Sequence, residues 1–472
     1  MEEKKKRLLW FENIIKYDKE RRIFNIIDFD KERHSSTCFV PISIFDDKSR
    51  GTISEDYNKV QDLLKILMKP VSTEKDKKEK DLKEKKENIK KLNFENIELR
   101  SIGSILGMAI GDAMGSRLEF QHFIYEDEYE KLKEKYNIPY LEDMGTNPGG
   151  HFKLEPGQWT DDTSMGLCLA DSLLVNDGKL DKYDLMNRFI AWWIGGYNNA
   201  FRLLEKPRRS VGLGGNISLS FRQYLINPVE ETKAGDKNTS GNGSIMRNAA
   251  IPICFNYNIK EACKNAKKQS LATHQGIQAE ECCNILTYIV AKILNGENLK
   301  DVLDNLNEKE ILCDVNEEKY QKYSSAYQSV ESLIKSKSDD FGNDWNWRTT
   351  KIYKYNPSRA KKQPGYIGSY AMDNLAMSLN IVYRTKKFHD AIIKAVNLRG
   401  DADSVASVVG QIAGAAYSVE GIPIDWIETI KKWDDGEIAL RGYMLSRLHS
   451  GESYYFNKEE KIEGIIEGKS KK

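Results

Sequence analysis

The chain has 472 residues, with 72 Lys and Arg against 71 Asp and Glu, a formal net charge of +1. That balance excludes a general electrostatic case for nucleic acid. The longest apolar runs are broken by Gly, Asp or Lys before membrane-spanning length, so no membrane partner is expected. The length argues for two units, one of them large. Seven cysteines without a C-x-x-C pair, and a charged start with no secretory core, predict reduced thiols in a cytoplasmic protein.

Residues 1–68 read as a small α+β extension. Segments 22–29 and 38–45 are β-branched and aromatic and predict strands, and residues 63–68 continue an amphipathic helix. Residues 69–98 form a charged linker or helix, almost entirely Lys, Glu and Asp between positions 72 and 91. From 99 to 450 helical periodicity dominates, and Gly, Ala, Met and Ser become frequent. Gly103, Gly107, Gly111 and Gly115 share one helix face, and Gly410 and Gly414 repeat the spacing. Two such helices packed together would bring acidic helix starts side by side. The adjacent Cys282 and Cys283 lie in a helical stretch and read as packing. Residues 337–364 are polar and predict an exposed insertion. Residues 451–472 form a charged tail.

Two acidic clusters carry the chemistry. Thr160-Asp161-Asp162 and Asp401-Ala402-Asp403-Ser404 each precede an apolar run of helical character. If the two helix starts meet, four carboxylates and two hydroxyls converge, and such charge needs a cation. Hard oxygen donors favour Mg²⁺, Mn²⁺ or Ca²⁺ over zinc or copper. Each cluster alone is also an ordinary helix cap, and the helix dipole opposes a cation there, so both readings stand at this point.

Other residues complete a candidate site. Glu119 ends a glycine-rich helix among apolar neighbours, where burial would suit it to acid–base work; pairing with Arg117 at the surface is the alternative. The stretch Arg209-Ser210-Val211-Gly212-Leu213-Gly214-Gly215-Asn216 offers backbone N–H groups to phosphate oxygens, with Lys206, Arg208 and Arg209 as nearby cations, or forms a plain turn. Asn242, between two glycines, offers an amide to a sugar hydroxyl or marks a turn. His274 opens a helix as catalyst, cap or structural donor. Gly365-Tyr366-Ile367-Gly368-Ser369-Tyr370 supplies an aromatic face for a base or packs on the core. Together these residues point to two-metal hydrolysis of a phosphorylated sugar compound.

As an ordered set, the motifs resemble the ADP-ribosylglycohydrolase family. The residues that carry the resemblance are Gly107-Met108-Ala109-Ile110-Gly111-Asp112-Ala113-Met114-Gly115 with Glu119, then Trp159-Thr160-Asp161-Asp162-Thr163. They continue with Gly241-Asn242-Gly243-Ser244-Ile245-Met246-Arg247, Thr273-His274 and Arg399-Gly400-Asp401-Ala402-Asp403-Ser404. The resemblance implies an all-α fold, a compact orthogonal helical bundle, over residues 99–450. It implies two Mg²⁺ ions, Mn²⁺ being the alternative, on Thr160, Asp161, Asp162, Asp401, Asp403 and Ser404. Glu119 and Asp162 would act in catalysis, Glu119 also gating the cleft. Gly212, Leu213, Gly214, Gly215 and Asn216 would face the diphosphate. Ser240, Gly241, Asn242 and His274 would line the ADP-ribose site, with Gly368 and Tyr370 at the adenosine end.

The implied reaction is hydrolysis of the N- or O-glycosidic bond at C1″ of ADP-ribose, through an oxocarbenium-like state. The partner would be an ADP-ribosylated protein or an ADP-ribosyl small molecule. Ser210 stands before Val211-Gly212 where arginine-specific members usually carry Asp, so arginine, serine and O-acetyl linkages stay open. Ser404 stands where many members have Thr, and both offer a hydroxyl. A second reading keeps the cleft as a silent ADP-ribose-binding site. In that reading the N-terminal extension, residues 1–98, binds or blocks an ADP-ribosyltransferase.

Overall fold

Glycine at every fourth position puts a groove, not a ridge, along one face of a helix, and a second helix can sink into it to backbone contact. The computed structural model shows that contact. It describes residues 51–201, 209–233, 239–354 and 362–448, together with residues 44–45 and the backbone of three short strands. The longer helices are α1 (Gly51–Met68), α2 (Lys75–Lys91), α3 (Asn96–Gly115), α4 (Asp161–Val175), α5 (Lys182–Gly195), α6 (Gly215–Ile226) and α7 (Ile259–Leu271). They continue with α8 (Ile277–Leu294), α9 (Ser324–Lys335), α10 (Ala371–Arg384), α11 (Phe388–Asn397), α12 (Ala402–Tyr417), α13 (Ile424–Asp434) and α14 (Glu437–Arg447).

The seam between α3 and α12 organises the body. A methyl group added at Gly107 would lie 2.1 Å from the Gly410 carbonyl oxygen, and one at Gly103 would lie 2.4 Å from that of Gly414. Toward the other end, Gly111 abuts Ala406 and Gly115 abuts the Asp403 backbone. The helices therefore run antiparallel, and the end of α3 meets the start of α12. Local signals set the helix starts. Glu98 reaches back to accept from the Glu95 N–H (2.8 Å), and Asp181 accepts from Tyr183 and Asp184 N–H at the head of α5.

One apolar core runs through the body, and α1 belongs to it. Val60, Leu63 and Leu64 are buried in the same cluster as Ile102, Leu440 and Tyr443. Gln61 donates to the Asp435 carbonyl (2.7 Å), and Lys59 donates to Tyr443 Oη (3.0 Å). The sequence places this helix in a separate extension; the structure packs it on α13 and α14, because its apolar stripe needs a partner surface. Helix α2 is mostly exposed, as its composition implies.

Strands β1 (Ile15–Asp18), β2 (Ile23–Ile26) and β3 (Ser36–Phe39) pair antiparallel in that order, with Ile15 opposite Ile26 and Ile23 opposite Phe39. β2 falls inside the first strand expected and β3 straddles the start of the second, while Ile44 and Phe45 form a buried turn. The remaining positions expected as strand, and the tail from 451, lie outside the described residues. The 337–364 stretch is mostly exposed or half-buried over its described part, but two tryptophans anchor it to the core. Trp345 and Trp347 are fully buried, their indole N–H groups bonded to Asp339 Oδ2 (2.8 Å) and the Leu333 carbonyl (2.6 Å). Two indoles outweigh the polar average around them.

Candidate active site

Thr160 is the N-cap of α4, yet its side chain caps nothing. The cap comes from α3. The buried Asp112 carboxylate accepts from the N–H of Thr160 (3.0 and 3.1 Å), from the N–H of Thr163 (2.9 Å) and from Thr160 Oγ1 (2.7 Å). This fastens the start of α4 to the end of α3, while the glycine seam delivers the start of α12 to the same place. Carboxylate oxygens of Asp112, Asp162 and Asp403 lie within 4.8 Å of one another. The two acidic helix starts do meet, but the glycine helix contributes its C-terminal end and an acid of its own.

Burial is the first cause of the electrostatics. It pushes the carboxyls of Asp112, Asp161, Asp162, Asp401 and Asp403 up from their ordinary range. Asp403 and Asp112 then add repulsion at Asp162. Glu119 is raised well above normal, first by burial and then by Asp403, Asp401 and Asp161. Asp162 Oδ1 and Glu119 Oε2 are buried without a hydrogen-bond partner. Among the described residues no Lys or Arg pairs with any of these six carboxylates. A buried, all-oxygen set with unsatisfied acceptors fits a hard divalent cation.

Above the acids opens a cleft of about 970 Å³, large enough for a nucleotide-sized ligand. Its floor holds Glu119, Asp161, Asp162, Asp401, Asp403 and Ser404. Gly212, Leu213, Gly214, Gly215 and Asn216 form one wall, leading into α6. Gly212 has φ +94°, and a Cβ there would fall 2.0 Å from Asp161 Oδ1, so only glycine lets this loop rest on the acid. Gly241, Asn242 and His274 stand on the cleft as well. Asn242 Nδ2 donates to the Gly368 carbonyl (3.0 Å) and to Asp401 Oδ2 (3.1 Å).

Thr160, Ser240, Gly368 and Tyr370 do not line the cleft. Thr160 is buried against Asp112, and Ser240 lies beneath, where a Cβ on Gly276 would meet its hydroxyl at 2.1 Å. Gly368 turns its carbonyl to Asn242, and Tyr370 Oη donates to Gln278 Oε1 (2.6 Å). Lys206 and Arg208 lie outside the described residues. The Ser210 hydroxyl donates to the Trp192 carbonyl (2.6 Å) and is committed to its own loop. Sequence reasoning missed Asp112 as a site residue, although an acid inside a Gly, Ala and Met run is a signal. It also missed Phe120, His151 and Phe152, which join Tyr366 of the expected aromatic face in a rim. Phe120 packs edge-on to His151 (5.3 Å) and tilts against Tyr366 (5.5 Å), with Phe152 behind.

The family model described as ADP-ribosylglycohydrolase matches residues 94–452. The chain belongs to the ADP-ribosylglycohydrolase family. It is 31% identical over 335 residues to the ADP-ribosylarginine hydrolase Tri1 of Pseudomonas putida (strain GB-1), covering 70% of this chain and 74% of that protein. It is 24% identical to the ADP-ribosyl-[dinitrogen reductase] glycohydrolase of Rhodospirillum rubrum, covering 73% of this chain and 97% of that one. A solved structure titled ADP-ribosylglycohydrolase-related protein complex superposes with a TM-score of 0.52 at 26% identity, over 75% of this chain and all of that one. This ADP-ribosylglycohydrolase is thus a predominantly helical hydrolase of glycosidic bonds that removes ADP-ribose. Among its described residues no helix is long and apolar enough to cross a membrane.

Proposed function

We propose that this ADP-ribosylglycohydrolase is magnesium-dependent and cleaves the N- or O-glycosidic bond at C1″ of ADP-ribose, releasing it from modified proteins or small ADP-ribosyl conjugates. The carrying observation is the meeting of Asp112, Asp162 and Asp403 within 4.8 Å at the base of the cleft, with buried oxygens left unsatisfied. Two ions would be held by Asp161, Asp162, Asp401 and Asp403, with the Thr160 and Ser404 hydroxyls. When bound, they supply positive charge that orients the distal ribose and offsets the acids.

The chain's own groups do the rest. Asp112 holds Thr160 and the first turn of α4, so it sets where Asp161 and Asp162 point. Asn242 steadies Asp401 by its amide. Glu119, its carboxyl pushed up by burial, is suited to deliver a proton to the leaving atom at C1″; its carboxylate can then take a proton from the attacking water. The N–H groups of the 212–216 loop suit the diphosphate. The rim of Phe120 and Tyr366 offers an apolar face to a base or to the departing group. We place the enzyme in the cytoplasm, a reading supported by the six described cysteines, all free thiols.

The test is release of ADP-ribose from arginine-, serine- and O-acetyl-linked substrates, with and without EDTA. Release that stops in EDTA and returns with Mg²⁺ is expected. Equal rates in both would remove the metal from the reading. ADP-ribose binding without release from any linkage would favour the silent binder instead.

A further inference from the structure

His274 is tied at one ring nitrogen and open at the other. It follows α7 in a tight turn, its backbone N–H bonded to the Ser270 carbonyl (2.8 Å). Nδ1 lies 2.8 Å from Thr273 Oγ1. Nε2 faces the cleft, beside the loop that carries Gly241 and Gly243.

Arg247 decides the direction of that bond. Its guanidinium is fully buried, held by Gln269 Oε1 (3.0 Å) and the Gln269 carbonyl (3.0 Å), and lies over the Phe189 ring at 4.5 Å. Nη2 also donates to Thr273 Oγ1 (2.9 Å). Arginine has no acceptor, so the threonine hydroxyl must accept here. Its single proton then needs an acceptor of its own, and among the described residues His274 Nδ1 is the one in reach. The opposite arrangement, with the proton on Nδ1, would leave a buried hydroxyl hydrogen unpaired, which is costly. The same surroundings oppose a charged ring: burial, then Arg247, lowers His274 to about 3.

We propose that Arg247 and Thr273 are positioning residues that lock His274 as the neutral tautomer with hydrogen on Nε2. In that form His274 presents a fixed donor to an oxygen acceptor of the ligand, a phosphate or ribose oxygen, and exchanges no proton in the reaction. The proposal rests on reading the cleft as the ADP-ribose site. It deepens that reading by assigning His274 to recognition and not to acid–base chemistry.

Nitrogen-15 NMR of the imidazoles in the full-length chain tests the lock directly, the His274 signals being assigned by their loss in His274→Asn. The expected result is an unprotonated Nδ1 and a protonated Nε2, unchanged between pH 5 and 8. A protonated Nδ1, or titration in that window, would overturn the proposal. Thr273→Val removes the relay, and its KM for the ADP-ribosyl substrate should rise about tenfold, with little change in kcat or in the pH profile. Thr273→Ser should restore wild-type KM. An unchanged tautomer and KM in Thr273→Val would also overturn the lock. A correct tautomer in a chain that fails to bind ADP-ribose by calorimetry would instead sink the functional reading and leave the lock standing.

Discussion

Helix α4 carries buried acids near both ends, and their surroundings are opposite. At its start, Asp161 and Asp162 face other carboxylates, and Asp162 Oδ1 has no partner. Near its end, Asp171 is equally buried but fully answered. Arg441 Nε donates to Oδ1 (2.6 Å), Tyr197 Oη to Oδ2 (2.6 Å) and Asn198 Nδ2 to Oδ2 (2.7 Å). Arg188 extends the network to Asp184 (2.8 Å) and Tyr197 (2.7 Å). The protein can neutralise a buried carboxylate with its own residues when the role is structural. It does not do so at the other end of the same helix, where the buried carboxylates form a cluster able to hold a metal ion.

The largest test of this contrast is Asp403→Asn. Hydrolysis should fall by about a thousandfold or more, while far-UV circular dichroism stays helical. In EDTA the variant should melt higher than wild type, because one repelling charge is gone. A lower melting point would make Asp403 a structural cap and end the contrast.

Arg441→Met acts at the other end. It strands Asp171 in the core and should cost about 3–5 kcal/mol in urea denaturation, with or without magnesium. A loss that magnesium repairs would mean the two ends are not independent. Gly107→Ala probes the scaffold that joins them. Its methyl group meets the Gly410 carbonyl, and the strain should cost about 1–3 kcal/mol and weaken magnesium uptake measured by calorimetry. Full stability would show that the seam can relax.

The smallest effect is on pH. The raised carboxyls at the starts of α4 and α12 stabilise the metal-free fold fully only below their unfolded values, and that stability is lost as pH rises through the higher folded values. Magnesium needs the same groups deprotonated, so the rise in melting temperature on adding it should grow from pH 5 to pH 8. A gain independent of pH would place the ion elsewhere.

Much of this is legible in the amino-acid sequence. The four-residue glycine spacing announces close helix packing, and matching acidic starts announce a shared site. What stays hidden depends on partners. Asp112 looks like one polar residue in an apolar helix, and only the fold shows it capping α4. The apolar stripe of α1 is plain in sequence, but not the surface it covers. Trp345 and Trp347 vanish in a polar average, although each indole finds a buried acceptor. The rim of Phe120, His151 and Tyr366 joins three distant segments that share no motif.

The antiparallel pairing of α3 with α12 also orders events during synthesis. The groove that ends at Gly115 leaves the ribosome long before Asp403 is translated, so the nascent chain holds an open slot for most of its elongation. Contacts this remote along the chain form late and slowly. The acidic cluster therefore stays incomplete until the stretch carrying Asp403 is made, and a chain ending before it would lack that acid.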